Sequence, residues 1–221
     1  SCVLGATSSI TSIKDSATPL TFSSGSLSKK ITKIDASKNE VDIELGLDIK
    51  SVDKNSEVVF VIDNSSSMST AINNSTRQKE VISSTESLIN KVSGISKNVK
   101  MGIVSFSSSA TVVQQLTSDK NSLMSACETM RNTSPGGSTS INSALTTGKG
   151  LFSTDNNINK ILILLSDGLP TENYTDVKKS LQDSKYYIIT ALIGLDGENE
   201  KSTVESVFGT ESNPTADKLY N

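Results

Sequence analysis

The most regular feature of the chain is the alternation of apolar and polar residues at 41–49. Val41, Ile43, Leu45, Leu47 and Ile49 are separated by Asp42, Glu44, Gly46 and Asp48. A period of two places the apolar side chains on one face of an extended backbone, so the segment reads as a half-buried strand. Asp53-Lys54-Asn55-Ser56 then breaks it as a turn. Upstream the pattern fades. Ile31, Lys33 and Asp35 do not alternate cleanly, and the Ser/Thr-rich residues 1–30 read as an irregular arm.

Beyond the turn the pattern changes. Val58 to Ile62 is apolar at every position and mostly β-branched, as expected of a strand buried on both faces, and it ends in Asp63. Residues 69–93 follow with helical spacing at Ile72, Val81/Ile82, Leu88/Ile89 and Val92, and Gly94 stands where a helix would stop. Val99 to Phe106 is a second strand, with Ala110 to Leu116 as its hairpin partner. Asp119 caps a helix running through Met130. A loop containing Pro135-Gly136-Gly137 leads into a helix from about Ile141 to Phe152. Lys160 to Ser166 is a strand that ends at Asp167-Gly168. Tyr174 to Ser184 reads as a helix, Tyr186 to Leu195 as a strand, and Lys201 to Phe208 as a short helix.

Continuous apolar strands alternating with helices predict an α/β fold. Its central sheet is doubly wound and mostly parallel, with helices on both faces. Residues 1–52 form an N-terminal arm containing strand, which could belong to a neighbouring domain; residues 53–221 form the α/β domain. In such folds ligands lie outside the carboxyl ends of the strands. Asp63, Asp167 and the glycine loop before residue 141 all fall at that edge.

Composition narrows the chemistry. The 221 residues are 34% hydrophobic, enough for a substantial core, and contain no Trp and no His. Without histidine there is no Ser-His-Asp or Cys-His catalysis and no His-ligated zinc. Two cysteines are too few for a four-thiolate site. Cys127 reads as a buried apolar residue on a helix, and a Cys2–Cys127 disulfide is the alternative. The net charge of −3, with no basic run, argues against a nucleic-acid surface. No apolar run approaches the roughly 20 residues of a membrane helix.

Three segments carry the candidate site. Asp63-Asn64-Ser65-Ser66-Ser67 places an Asp and two Ser at every second position of a tight loop. Gly136-Gly137-Ser138-Thr139 supplies hydroxyls, and Ser166-Asp167-Gly168 a second carboxylate. Oxygen donors without nitrogen or sulfur favour Mg²⁺, with Mn²⁺ and Ca²⁺ as alternatives. With two carboxylates only, positions on such an ion stay open to water or to an incoming acid.

In order and spacing these segments resemble the von Willebrand factor type A domain, relative of the integrin inserted domain, with its metal-ion-dependent adhesion site. The resemblance covers about residues 56–221. It implies Ser65, Ser67 and Thr139 as direct hydroxyl ligands, and Asp63 and Asp167 as carboxylates bound directly or through water. Thr139 is preferred to Ser138 because it precedes Leu145 in the family's Thr-x-x-x-x-Ala-Leu spacing. The implied function is binding, not catalysis: a partner protein supplies a Glu or Asp carboxylate to the metal.

The chain looks most like the surface and pilus-tip adhesins of Gram-positive bacteria. That implies a secreted, cell-surface or cell-wall location and a host matrix or cell-surface partner. A metal-dependent docking subunit of an intracellular or envelope complex is the alternative. Residues 216–221 resemble the start of the family's last strand, whose final helix would lie beyond Asn221. Asp196, Glu198 and Glu200 depart from calcium-loop spacing and read as a solvated loop. Asn64-Ser65-Ser66 fits the N-glycosylation pattern. A glycan there would block the site, which argues against a eukaryotic secretory origin.

Overall fold

The computed structural model describes residues 2–3, 20–22, 25–35, 40–49, 55–72, 74–183, 185–192, 206–210, 213–214 and 218–220. The N-terminal part is a four-stranded antiparallel sheet in the order β1-β4-β3-β2. Its strands are β1 (Cys2–Val3), β2 (Leu20–Phe22), β3 (Gly25–Asp35) and β4 (Glu40–Ile49). The alternation at 41–49 thus falls on β4. The irregular arm expected up to residue 30 is corrected at its end: residues 25–35 are a strand. Ile31 pairs with Ile43 but Lys33 with Asp42, so Thr32 is an extra residue in the ladder. Such a bulge shifts the two-residue alternation of the strand by one position, which is why no clean period shows in the sequence.

The second sheet has six strands in the order β14-β11-β10-β5-β8-β9. They are β5 (Ser56–Asp63), β8 (Val99–Phe106), β9 (Ala110–Thr117), β10 (Asn159–Ser166), β11 (Tyr187–Leu192) and β14 (Lys218–Tyr220). All neighbours run parallel except β8 and β9, which form the expected hairpin. Helices α1 (Arg77–Ile95), α2 (Lys120–Arg131), α3 (Ile141–Gly150) and α4 (Tyr174–Leu181) accompany them. Two-residue strands complete the description, β6 (Ala71–Ile72) with β7 (Ser75–Thr76) and β12 (Gly209–Thr210) with β13 (Asn213–Pro214). Among the described residues no helix is long and apolar enough to cross a membrane.

The continuous apolar strands split by parity between two cores. Val58, Phe60 and Ile62 of β5 join Ile161, Ile163 and Leu165 of β10 under α1 and α2. Val59, Val61, Leu162 and Leu164 face the other way, against Ile141, Ala144 and Leu145 of α3 and Val177 and Leu181 of α4. Burial on both faces removes the polar positions a one-sided strand would keep. Helix α3 lies close to the sheet at Gly148, where a Cβ would sit 2.7 Å from Val61 Cγ2 and 3.0 Å from Leu162 Cδ1.

Several helix boundaries differ from expectation, among them the end of α3 at Gly150 in place of Phe152. Helix α1 starts at Arg77, not residue 69. Ser66–Ser69 is a 3₁₀ turn, and β6 and β7 fold back on each other before Thr76 caps the helix at Lys79 N. Ile72 is buried in that small hairpin, where it fell in phase with the helix by coincidence. Gly94 does not stop α1, which runs one residue further, and α4 ends at Leu181, short of Ser184. Of the strand expected over 186–195 and the helix over 201–208, the described parts are 187–192 and the helical residues 206–208. Asp196, Glu198 and Glu200 lie outside the described residues. Cys127 is a buried free thiol on α2, pushed up to about 12 mainly by burial. The side chain of Cys2 lies outside the described residues.

Candidate functional site

Strands β5 and β10 are adjacent at the centre of the sheet, and their chains leave in opposite directions, β5 towards β8 and β10 towards β11. This is the topological switch point, where the connections separate and open a crevice. Ile62 pairs with Leu165, so Asp63 and Ser166 emerge side by side at the carboxyl edge. Ser166 Oγ donates to Asp63 Oδ2 at 2.5 Å, and Ser65 N donates to Asp63 Oδ1 at 2.7 Å. The backbone bond across two residues bends the loop so that Ser65 and Ser67 point together, their Oγ atoms 3.1 Å apart. Met68 anchors the turn behind them, fully buried.

One residue further along, Ser67 Oγ donates to Asp167 Oδ1 at 2.7 Å. Thr139 comes from the third segment. A Cβ built on Gly168 would lie 3.8 Å from Thr139 Oγ1 and 3.9 Å from Ser67 Oγ, with nothing outside its chain neighbours nearer. The two hydroxyls thus both lie in contact range of Gly168. Ser138 is directed elsewhere: its N and Oγ both meet Ser108 Oγ, at 3.0 and 3.1 Å. Gly137 sets this divergence with a φ of +85°, a left-handed conformation that glycine adopts without strain. A side chain there would also meet Ser108 Oγ at 2.6 Å. All five residues singled out from the sequence therefore converge on one edge of the sheet.

The sequence did not reveal what holds them there. Arg77, the first residue of α1, places Nη1 2.9 Å from Asp167 Oδ2; the Asp167 side chain is 0% and that of Arg77 10% exposed. Glu172 accepts from Asn142 N and, in a very short contact, from Ser140 Oγ, so it caps α3 where Ser140 itself makes no side-chain cap. Thr171 N and Oγ1 both donate to Thr139 O, tying the loop after Asp167 to the loop that carries Thr139. Gln78 Nε2 lies within bonding distance of Asn64 Oδ1, Met130 O and Thr133 O, and joins the first loop to the end of α2. The sequence held no signal for this pair, because the helix expected from residue 69 put Arg77 inside it and hid its place at the N-terminus, where a cation opposes the helix dipole and invites a search for its anion.

The electrostatics are uneven. Burial pushes the Asp63 carboxyl above its ordinary range; hydrogen bonds from Ser166 and Ser65 pull it back, and the charge of Asp167 adds to the rise. A buried carboxylate of this kind is stabilised by a nearby cation. The donors gathered here are carboxylate and hydroxyl oxygens, which is the chemistry suited to a hard divalent cation. Both carboxylates already accept hydrogen bonds on both oxygens, so they stand behind the hydroxyls of Ser65, Ser67 and Thr139.

The family described as the von Willebrand factor type A domain matches residues 57–220. The Minor fimbrium subunit Mfa5 of Porphyromonas gingivalis is 31% identical over 139 residues, 62% of this chain; the match spans only 11% of that protein's length. Among solved structures, the PilB minor pilin from Streptococcus sanguinis has a TM-score of 0.61 at 14% identity, over 92% of this chain and 72% of that one. The von Willebrand factor type A structure from Catenulispora acidiphila gives 0.57 at 18% identity, over 90% and 42%. At these identities the structural likeness is one of fold.

Proposed function

The chain belongs to the von Willebrand factor type A domain family, and from that premise we propose that it is a metal-ion-dependent binding domain of a bacterial surface protein. The observation that carries this reading is the convergence of the Ser67 and Thr139 hydroxyls beside Gly168, backed by the buried carboxylates of Asp63 and Asp167. Ser65, Ser67 and Thr139 would hold Mg²⁺, or Mn²⁺ or Ca²⁺, and Asp63 and Asp167 would orient those hydroxyls and balance the charge. The bound ion would supply a Lewis-acidic position for a carboxylate oxygen from a partner protein.

The kinship with a fimbrium subunit supports a pilus or cell-surface location and an adhesive role. A host matrix or cell-surface protein is the partner class that follows. The role we propose is non-catalytic: the chain has no histidine, Ser67 is engaged with Asp167, and Ser65 lies within bonding distance of Ser67. The test is binding of the full chain to an array of matrix proteins in Mg²⁺ and in EDTA. Capture should occur in Mg²⁺, disappear in EDTA and fall at least about tenfold in Asp63→Ala, whose circular dichroism stays unchanged. Equal capture in EDTA would overturn the proposal.

A further inference from the structure

Arg77 stands where helix electrostatics disfavours it. It is the first residue of α1, at the positive end of the helix dipole, and it is only 8% exposed. Its guanidinium lies 2.9 Å from Asp167 Oδ2, while Asp167 Oδ1 accepts from Ser67. Glu172 is engaged at the N-terminus of α3, whose partial positive charge it offsets, and Glu80 stands in the first turn of α1 with Arg77. Asp63, Asp167 and Arg77 together carry one negative charge. A divalent cation placed among two carboxylates alone gives a neutral site. The same cation placed beside Arg77 as well leaves the site positive.

We infer that Arg77 is a specificity-determining residue: it adds a positive charge to the metal-loaded site and so strengthens its selection of an anionic oxygen from the partner, at the expense of metal affinity. This inference rests on the metal-binding reading above. Arg77 acts through Asp167 and through its charge. By neutralising Asp167 it also keeps that carboxylate hydrogen-bonded behind Ser67, and like-charge repulsion between Arg77 and the ion weakens the ion's hold. A carboxylate from outside would then be attracted by the charge of the bound ion and by that of the guanidinium beside Asp167.

The experiment uses the full chain, Mn²⁺ as the metal and acetate as the anionic probe. Mn²⁺ affinity is read by electron paramagnetic resonance of the free ion. Acetate binding to the loaded protein is read by the loss of inner-sphere water in proton relaxation. Arg77→Gln should bind Mn²⁺ about tenfold more tightly and acetate about tenfold more weakly, whereas Arg77→Lys should stay near the unaltered protein in both. Should Arg77→Gln fail to fold with Asp167 left unpaired, the same comparison is made between Asp167→Asn and the double variant Asp167→Asn/Arg77→Gln. The double variant should bind Mn²⁺ more tightly than the single one.

A purely structural role predicts the opposite, weaker Mn²⁺ binding whenever Arg77 is replaced, Lys included. That result, or equal Mn²⁺ and acetate affinities with and without Arg77, would overturn the inference while leaving the site reading intact. Absence of Mn²⁺ binding by the unaltered chain would overturn both.

Discussion

Two aspartate turns in this molecule are built alike and behave in opposite ways. Asp63 accepts from the backbone N–H two residues on, at 2.7 Å, and from the hydroxyl of Ser166 at 2.5 Å. Asp119 accepts from the N–H two residues on, at 3.1 Å, and from the hydroxyl of Ser122 at 2.5 Å. Asp119 is exposed at the start of α2, and those bonds, the Ser122 hydroxyl first, hold its carboxyl below the ordinary range. Asp63 is fully buried beside Asp167, and desolvation outweighs the same kind of bonds, so its carboxyl is pushed up. A hydrogen-bonded Asp turn is a stabilising cap when water surrounds it. Enclosed next to a second carboxylate, it becomes a negatively charged place that a cation relieves.

Removing the serine donor from each turn separates the two cases most sharply. Ser166→Ala leaves Asp63 Oδ2 without a donor in a buried setting and should cost about 1–3 kcal/mol by chemical denaturation in EDTA. Ser122→Ala should leave Tm within about 1 °C, because water replaces the hydroxyl. Equal losses would mean that burial does not distinguish the turns. Replacing the acids should give shifts of opposite sign. In EDTA at neutral pH, Asp63→Asn should raise Tm by about 2–4 °C and Asp119→Ala should lower it by a similar amount. In saturating Mg²⁺ the advantage of Asp63→Asn should vanish or reverse.

The pH dependence is the finest test. Asp63 has an ordinary value of 3.8 when unfolded and a higher one when folded. Between the two, the folded chain keeps a proton the unfolded chain has lost, so the contribution of Asp63 to stability falls as pH rises through that interval. Asp119 has a folded value below 3.8. Its contribution is complete above 3.8 and is lost as pH falls through the folded value. Thermal melts in EDTA should therefore show the Tm gap between Asp63→Asn and the unaltered chain closing as pH drops towards 3.8. The gap for Asp119→Ala should narrow only below it.

Local patterns carried much of this structure. The apolar run at 58–62, split by parity between two cores, and the strand ending at Ser166 were legible because burial on both faces leaves an unbroken stretch of β-branched and aliphatic residues. The cap at Asp119 and the hairpin of β8 with β9 were legible for the same local reason. What escaped depended on partners far away in the chain. Ile72 mimicked a helical phase while sitting in a small hairpin, and Thr32 hid strand β3 by shifting its parity. The salt bridge of Arg77 with Asp167 spans 90 residues, and the bonds of Glu172 to Asn142 span 30. No periodicity encodes such pairs; they exist only once the sheet has brought the loops together.

Asn64 illustrates what that assembly does to a sequence signal. Its side chain sits at the heart of the Asp63 loop, Oδ1 receiving Gln78 Nε2 at 2.7 Å and Nδ2 reaching Ser134 O at 3.4 Å, and the residue is 8% exposed. A sugar transferase needs that amide nitrogen in the open. The folded loop withholds it, so a host that glycosylates secreted chains would modify Asn64 only before folding. The sugar would then keep the loop from closing on Gln78, and occupancy at this asparagine would serve as a chemical record of chains that never reached the native state.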